Sequence, residues 1–410
     1  MSLGAETTSC PKYGDNMKSK TLKRIFSMSV FVAALTTDGM VAQMQPPPQY
    51  TVTELATLGG TISSPSSIND DGLISGGATL ASDRVEHAVS WMNGVVTDLG
   101  TLPGGVNSAV GFPVKNNSGV LVGFSQTGDT NPLHEDWRYV CGPFETRPIC
   151  QARNLISLGF VWKNGSLTSL LPFAGGYISE AFGANNLGQV VGFAETGYAD
   201  ASCLHPQVQD YVGVVWNTNG SMMQALAPYH SDKVSVAAAI NDKGQIVGAS
   251  GPCAPISPAL AAHALLWQYG SATVTDLGNL GGSTNNVAFA INRQGQIVGF
   301  SGLPGNTTAH AFLYQNGGPM QDLGTLSGHV FSIAYSINDR GQIVGQSCDA
   351  NNSCRAVLWQ DGAKLDLNSF IPAGTPTLVV AFDINKQGQI VGEAYNPTTG
   401  EAPGFVLTPQ

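Results

Sequence analysis

The sequence has little charge and no concentration of positive charge. Charged residues make up 11% of its 410 residues, whereas an average globular protein has about 25%. The 18 Lys and Arg residues are outnumbered by 28 Asp and Glu residues, which gives a net charge of −10. Binding to phosphates requires clustered Lys and Arg, and no such cluster occurs after residue 50. We therefore expect neither nucleic acid nor an anionic membrane as a partner.

Familiar catalytic signatures are also lacking. The sequence contains no Gly-x-Ser-x-Gly nucleophile motif, no His-Glu-x-x-His zinc motif, no Cys-x-x-Cys pair and no phosphate-binding glycine loop. Each of these is the local signature of a reaction or a ligand. We therefore predict no catalytic residue, no metal and no cofactor, and an enzyme of another type stays open.

Long hydrophobic segments are absent too. The apolar segment 25–35 is shorter than the roughly 20 residues that cross a bilayer. It lies between a basic segment and the small-residue sequence Met40-Val41-Ala42, an order typical of a signal peptide. We predict that 1–42 is a signal peptide cleaved after Ala42, with translation starting at Met17, and that 43–49 is a Pro-rich leader. The protein is expected to be secreted, either extracellular or periplasmic, with no membrane span.

Cysteine is scarce, and its number is typical of an exported protein. Loss of the leader with Cys10 leaves six cysteines, an even number suited to an oxidising compartment. Their positions favour Cys141–Cys150 and Cys348–Cys354 as bonds within single loops, and Cys203–Cys253 as a bond between equivalent loops of neighbouring repeats. Other connectivities stay open.

The sequence is rich in glycine and in repetition. It has 50 Gly residues, and a phrase of the form Asn-x-x-Gly-Gln-Ile-Val-Gly recurs seven times at intervals of 46 to 69 residues. Recurrence on this scale indicates a repeat architecture. The repeated Asn residues are Asn69, Asn116, Asn185, Asn241, Asn292, Asn338 and Asn385.

The fifth repeat shows the predicted secondary structure. Apolar runs at 286–291 and 296–301 flank a Gly-containing turn, which predicts a β-hairpin, and the runs at 310–314 and 320–326 predict two further strands. A four-stranded unit of this length matches the blade of a β-propeller. We predict an all-β fold, a seven-bladed β-propeller of four-stranded antiparallel blades that forms one domain over 50–410. A β-solenoid is the alternative.

The two ends of the repeat region complement each other. Residues 50–58 match the fourth strand of a repeat, and residues 404–407 match the third. The N-terminal strand can therefore complete the last blade, which removes the exposed edges of an open array. We expect the ring to close in this way.

The repeats resemble a known family. The pairs His87-Ala88, His263-Ala264 and His310-Ala311 occur together with Asp-Leu-Gly-x-Leu and Ile-Asn-x-x-Gly-Gln-Ile-Val-Gly. This combination resembles the bacterial HAF-type extracellular repeat across residues 54–407. The resemblance implies export and repetition, and it implies no activity. Four of the units have other residues at the His-Ala position.

The repeated side chains are expected to be structural. The Asn is expected to hydrogen-bond within its own turn, because the variable residues after it do not form a calcium ligand set. The histidines His87, His263 and His310 are expected to cap strand edges. Tryptophans at one third-strand position are expected to pack between blades. These are Trp91, Trp162, Trp216, Trp267 and Trp359.

The strands that precede the Asn residues are expected to line a central channel. Their charged residues are Lys115, Glu180 and Asp383. Because glycoside hydrolysis requires two facing carboxyl groups, Glu180 with Asp383 is the acid pair that such a reaction would use.

The loops between second and third strands vary most in length, which marks their face as the adaptable one. The longest is predicted at 126–158, and shorter ones at 195–212 and 250–262. We predict that the protein is a monomeric, secreted module that binds an extracellular glycan or protein through this face. A propeller-type polysaccharide hydrolase or lyase is the alternative. The predicted binding residues are His134, Asp136, Trp137, Arg138 and Tyr139.

Overall fold

The chain folds as a series of β-hairpins that pair into four-stranded sheets. The computed structural model describes residues 49–111, 115–135, 148, 154–254 and 260–410, all within one compact unit, 47–410. These residues contain 28 strands in seven sheets, each antiparallel and four-stranded. The predicted seven-bladed β-propeller is confirmed.

Blades 1 to 4 follow the chain order, from the innermost strand to the outermost. Blade 1 has β2 (Gly59–Ile68), β3 (Ile74–Leu80), β4 (Glu86–Met92) and β5 (Val95–Gly100). Blade 2 has β6 (Ser108–Val110), β7 (Leu121–Thr130), β8 (Leu155–Lys163) and β9 (Ser166–Leu170). Blade 3 has β10 (Ser179–Ala184), β11 (Gln189–Ala199), β12 (Gln209–Asn217) and β13 (Met222–Leu226). Blade 4 has β14 (Val234–Ile240), β15 (Gln245–Gly251), β16 (His263–Gln268) and β17 (Val274–Asp276).

Blades 5 and 6 repeat this order, and blade 7 takes its outer strand from the N-terminus. Blade 5 has β18 (Val287–Ile291), β19 (Ile297–Gly302), β20 (Ala309–Tyr314) and β21 (Gln321–Asp322). Blade 6 has β22 (Phe331–Ile337), β23 (Ile343–Cys348), β24 (Cys354–Gln360) and β25 (Ala363–Asp366), followed by a 3-10 helix at Leu367–Phe370. Blade 7 has β26 (Thr377–Ile384), β27 (Ile390–Tyr395), β28 (Gly404–Pro409) and β1 (Tyr50–Glu54).

The ring closes through β1, as expected from the two chain ends. This strand pairs antiparallel with β28, from Tyr50 opposite Pro409 to Glu54 opposite Phe405. Tyr50 is buried in the core of blade 7. Closure covers the edge of β28, whose backbone groups would otherwise face solvent unpaired. The β-solenoid alternative is therefore wrong.

The hydrophobic core lies between blades. One cluster joins Val191 of blade 3 to Ile246 and Trp267 of blade 4, and similar clusters occur around the ring. The indole N–H of Trp91 donates to the carbonyl of Ala56, in the segment that enters its blade, at 2.7 Å. Four of the five repeated tryptophans are buried, and Trp162 is half-buried. The prediction that they pack between blades is confirmed for the buried four.

The inner strands share one irregularity. Six of them shift register at the third residue before the repeated Asn, the pattern of a β-bulge. A bulge leaves one residue unpaired and redirects its side chain. The bulge residues are Ser66, Phe182, Ala238, Phe289, Tyr335 and Phe382.

Two of the predicted loops are shorter than expected. Strand β7 extends to Thr130 and β11 to Ala199, so residues assigned to loops at 126–130 and 195–199 are in β-structure. Both extensions contain register shifts against the third strand, which weakens the alternation that marks a strand in sequence. Among the described residues, no helix has the length and apolar character to cross a bilayer.

Candidate functional site

The propeller has two faces of different construction. The face that carries the Asn-containing turns and the turns between third and fourth strands is called the turn face. The other carries the second-to-third strand loops and the connections between blades, and we call it the loop face. Any ligand that enters the channel must pass one of these two faces.

Each repeated Asn holds its own turn, as expected. The Asn292 side-chain oxygen accepts from the backbone N–H groups of Gln294 and Gln296, at 3.1 and 2.9 Å. The turn is completed by Gly295, whose φ of +90° is accessible to Gly at little cost. The corresponding two bonds occur in all seven turns.

The same Asn residues also connect the blades, which sequence reasoning missed. The Asn292 side-chain N–H donates to the backbone oxygen of Asn338 at 3.1 Å, and Asn338 donates likewise to Asn385 at 3.0 Å. Asn385 donates to Asn69 at 3.1 Å, across the closure point. Six of the seven Asn bond the next repeated Asn in this way, and Asn116 instead donates to the oxygen of Ala184 at 3.5 Å. We call this circle of bonds the asparagine ring.

The residues that follow the Asn form a second, charged circle on the turn face. The backbone N–H of Arg293 donates to the Asp339 carboxylate at 3.0 Å, and the Arg293 side chain also lies 3.5 Å from Asp339. Lys386 makes the equivalent pair of contacts with Asp70. These groups surround a cavity of about 60 Å³ at the centre of the ring. The charged side chains around this cavity are paired with each other. We therefore assign them a structural role.

Beneath this cavity, Lys115 spans from blade 2 to blade 7. Its ammonium donates to the backbone oxygen of Ile384 at 2.7 Å and lies 2.5 Å from the carboxylate of Asp383. Asp383 is fully buried and also accepts from the hydroxyls of Ser67 and Ser336. The carboxylate is therefore engaged in joining blades 1, 2, 6 and 7.

Glu180 does not share this environment. It is 2% exposed, and burial alone raises its pKa to about 8, with no contribution from Asp383. The second oxygen of its carboxyl group has no hydrogen-bond partner. Among the described residues, the polar side-chain contacts of Asp383 are with Ser67, Lys115 and Ser336 and not with Glu180, which lies on the inner strand of blade 3.

Bulge residues give the channel an aromatic lining. The ring of Tyr335 lies 5.5 Å from that of Phe289 and 5.3 Å from that of Phe382, so three consecutive blades meet there. Glu393, from the second strand of blade 7, accepts from the hydroxyl of Ser64. Burial, and then the charge of Glu393, raises the pKa of Tyr335 above its usual value. The sequence analysis drew its channel acids from the inner strands alone and therefore missed Glu393, which lies on β27.

The loop face carries both disulfides of the described residues. Cys203, in the loop after β11, is bonded to Cys253, in the loop after β15, so equivalent loops of blades 3 and 4 are joined. Cys348 is bonded to Cys354 across the short loop of blade 6. Both agree with the predicted pairs. Cys141 and Cys150 lie outside the described residues.

Most of the predicted binding cluster also lies outside the described residues. This applies to Asp136, Trp137, Arg138 and Tyr139. His134 is described and exposed, with a φ of +56°. Its backbone N–H donates to the oxygen of Asn131 at 3.1 Å, which closes a turn at the start of the long blade 2 loop. The binding role of the cluster stays a prediction.

The loop face exposes apolar side chains that the sequence analysis did not single out. Tyr198 and Leu204, beside the Cys203–Cys253 bond, are 67% and 52% exposed. Leu171 and Leu260, on the adjacent blade connection and loop, are 59% and 37% exposed. We call these four residues the apolar sector.

The histidines of the His-Ala motif contact carboxylates. His87 lies 3.0 Å from Asp98 and His310 lies 3.0 Å from Asp322, each on the neighbouring outer strand of its blade. His263 lies 2.7 Å from Asp232 instead. The contacts of His87 and His310 connect the third and fourth strands of their blades, in keeping with the expected capping role, whereas Asp232 lies in the connection that precedes β14.

Comparison with known proteins yields structural similarity only. No family model and no curated protein sequence matches the chain. A Pyrococcus horikoshii acylaminoacyl peptidase is 12% identical, with 86% of this chain and 52% of the peptidase covered at a TM-score of 0.48. A prolyl endopeptidase is 9% identical, with 88% and 50% covered at 0.49. This chain thus spans about half the length of these two enzymes.

One similar structure has the size of the present chain. The GH93 α-L-arabinofuranosidase of Fusarium graminearum is 8% identical, with 88% of this chain and 98% of the arabinofuranosidase covered at a TM-score of 0.39. At such low identities and scores, none of these similarities assigns a reaction or a substrate to the protein.

Proposed function

We propose that the protein is an exported binding module, of the HAF-type extracellular repeat family, which recognises an extracellular glycan or protein through its loop face. Support for export comes from the signal-peptide pattern of 1–42 and from two disulfides, which persist in oxidising compartments. The same observations fit an extracellular or a periplasmic location.

The apolar sector is the observation that carries the binding proposal. Tyr198, Leu204, Leu171 and Leu260 are exposed on consecutive blades, on the face where loop length varies most. Exposed apolar side chains mark interaction sites when they form a contiguous patch. The Cys203–Cys253 bond holds the two loops beneath them, so less conformational entropy is lost when a ligand binds.

The described acids favour binding over hydrolysis. Asp383 is paired with Lys115, Glu393 bonds Ser64, and Glu180 is buried. Glycoside hydrolysis requires a pair of carboxyl groups about 5 to 10 Å apart that both reach the substrate. We therefore propose binding as the function. Hydrolase or lyase activity is the alternative that the experiment below would detect.

The test is a glycan array probed with the mature protein, followed by affinity measurements on the strongest hit. We expect Tyr198→Ala with Leu204→Ala to weaken binding at least tenfold, because both lie in the apolar sector. The matched control is Met92→Ala with Val95→Ala, which removes apolar side chains that are 38% and 65% exposed on the turn face. That variant should bind like the parent.

Three results would count against the proposal. Equal affinity of both double variants would move the site away from the apolar sector. The absence of any glycan ligand, together with no ligand among secreted proteins of the source culture, would remove the binding role. Cleavage of the bound glycan would replace it with the hydrolase or lyase alternative.

A further inference from the structure

A buried glutamate attaches the long loop of blade 2 to blade 3. Glu135 lies in the stem of that loop, residues 131–135, and is 1% exposed. Its Oε1 accepts from the backbone N–H groups of Val208 and Gln209, both at 2.8 Å, and from the side chain of Gln207 at 3.2 Å. No N–H group donates to its other oxygen, Oε2. This carboxyl group therefore connects the loop stem to the start of β12.

Glu195, on β11, approaches the same carboxyl group from within blade 3. It is fully buried, and its Oε2 accepts from the backbone N–H groups of Tyr177 and Ile178, both at 2.9 Å. No N–H group donates to its Oε1. The Glu195 side chain forms a hydrogen bond with that of Glu135. Because a carboxylate has acceptors and no donor, such a bond requires one proton between the two carboxyl groups.

No cation compensates the charge of this pair. Among the described residues, no Lys, Arg or His forms an ion pair with either glutamate. The stem, the connection before β10, the loop after β11 and β12 carry other titratable side chains, which are His134, Tyr177, Asp200, His205, Asp210 and Tyr211. Burial, followed by the charge of Glu135, raises the pKa of Glu195 to about 8, and none of those other groups contributes.

We propose that Glu135 and Glu195 form a pH-sensitive latch, in which one shared proton holds the stem of the blade 2 loop on blade 3. With the proton present, Glu195 donates to Glu135, and the two remaining buried oxygens satisfy each other. Loss of the proton to water leaves two buried carboxylates that repel each other and have no donor between them. Separation then becomes favourable, because water can solvate both groups.

The direction of the pH dependence follows from the proton. The closed latch retains it up to about pH 8, whereas a solvated glutamate loses it near 4.5. The closed form therefore binds more protons between these values, so its stability is complete below 4.5 and is lost as pH rises through 8. The equilibrium constant for opening should rise about fiftyfold between pH 6 and pH 8. This inference does not rest on ligand recognition by the loop face.

The test is hydrogen exchange of the mature protein at pH 6, 7 and 8, read by mass spectrometry. The amides of Val208 and Gln209 donate to Glu135, so they exchange when the latch opens. After correction for the pH dependence of the exchange chemistry, we expect their exchange to become about fiftyfold faster from pH 6 to pH 8. The amides of β19, in blade 5, should stay protected and report on opening of the whole ring.

Variants identify the titrating pair. In Glu195→Gln, the amide oxygen can keep both backbone bonds and the amide N–H can donate to Glu135 at every pH. Exchange of residues 207–209 should then be slow at pH 6 and at pH 8 alike. Glu135→Ala removes the acceptor, so exchange should be fast at both values. The matched control is Glu180→Gln, which alters another buried glutamate of blade 3 and should keep the pH response of the parent.

Three outcomes would overturn the proposal. Corrected exchange of Val208 and Gln209 that stays constant between pH 6 and pH 8 would show that no proton holds the stem. Equal exchange rates in 207–209 and in β19 would mean that the whole ring opens. A pH response that persists in Glu195→Gln would assign it to another group. The first two outcomes use the parent alone, so they decide the question even if a variant does not fold.

Discussion

The turn face and the loop face are built from the same seven repeats, yet only the turn face makes the same hydrogen bonds in every blade. On the turn face, the same Asn makes the same two bonds in every turn, and the asparagine ring runs through all seven blades. On the loop face, the loops differ in length, and the disulfides of the described residues lie in the loops of blades 3, 4 and 6. The turn face connects the blades around the ring, whereas the loops of the loop face differ from blade to blade.

This difference has a physical origin. A closed ring requires each blade to meet its neighbour at a fixed angle, so the contacts that set the angle must be equivalent all around. The loops of the loop face do not set the angle between blades, since they extend away from the sheets. Loops that do not determine the scaffold can therefore acquire buried acids, exposed apolar side chains and disulfides.

The largest expected effect comes from breaking the ring itself. Deletion of residues 50–58 removes β1 and the buried side chains of Tyr50 and Leu55, and it leaves the edge of β28 unpaired. We expect a loss of at least about 5 kcal/mol, from apolar burial and lost backbone pairing. Thermal unfolding followed by circular dichroism measures it.

The control for this deletion is removal of residues 397–399, an exposed turn between β27 and β28 on the loop face. It should change the Tm by less than about 2 °C, because solvent-exposed turns contribute little to stability. A deletion of 50–58 that melts like this control would show that ring closure contributes nothing.

The two disulfides sharpen the comparison within the loop face. Cys203–Cys253 closes a separation of 50 residues and Cys348–Cys354 one of 6. By chain entropy, replacing each pair with Ser should cost about 4 and about 2 kcal/mol, respectively. Denaturant unfolding of the two double variants gives the difference directly. Equal costs would indicate that native-state contacts, and not the length of the closed loop, determine the effect.

The asparagine ring provides the next test. Asn292→Ala removes three bonds within the turn and one bond to blade 6. It leaves two partly buried backbone N–H donors, those of Gln294 and Gln296, without this acceptor. A cost of about 3 kcal/mol is expected. Asn279→Ala is the matched control on the loop face, since the exposed Asn279 accepts a single bond, from Gly281. Denaturant unfolding should find it nearly neutral, and similar costs for the two variants would remove the distinction between the faces.

The smallest expected effect concerns pH and the buried acids. The folded-state pKa values of Glu180 and Glu195, about 8 each, lie above the value of 4.5 expected when unfolded. The folded state therefore binds more protons between these values, so stability falls as pH rises from about 4.5 through 8. Each group should contribute about 2 kcal/mol of this loss between pH 6 and pH 8.

Substitution of one acid tests this dependence. Glu180→Gln should remove about half of the fall in unfolding free energy between pH 6 and pH 8, because Glu195 remains. Glu54→Gln is the control, since Glu54 is exposed on β1, and its profile should follow that of the parent. An unchanged slope in Glu180→Gln would mean that this carboxyl group is ionised in the folded protein.

Sequence patterns predicted the fold well because they record local chemistry. The hairpin around Asn292 follows from alternation and a glycine turn, and the match of 50–58 to a fourth strand predicted ring closure. The same patterns predicted that Asn292 bonds within its own turn, but they did not predict that it also bonds the next blade. Its bond to Asn338 depends on how the next blade is rotated, which no short stretch of sequence specifies.

The candidate sites show the same limit. Glu180 and Asp383 both lie on predicted inner strands, yet Asp383 is paired with Lys115, whereas Glu180 is buried and one of its carboxyl oxygens has no hydrogen-bond partner. Conversely, Glu135 and Glu195 lie 60 positions apart in the chain, and only the packing of blade 2 on blade 3 makes them neighbours.

By itself, the sequence determined the β-hairpin unit, the number of blades, the strand that closes the ring and two of the disulfide pairs. Each of these depends on periodicity, on turn residues or on the phase of the repeat, which are properties of neighbours along the chain. Tertiary structure decided which polar groups are buried together, which acids have raised pKa values and which apolar side chains stay exposed. These properties depend on the distance between blades and on access to water, because both determine the energy of a charge or of an apolar surface. Neither quantity can be derived from the sequence of a single repeat.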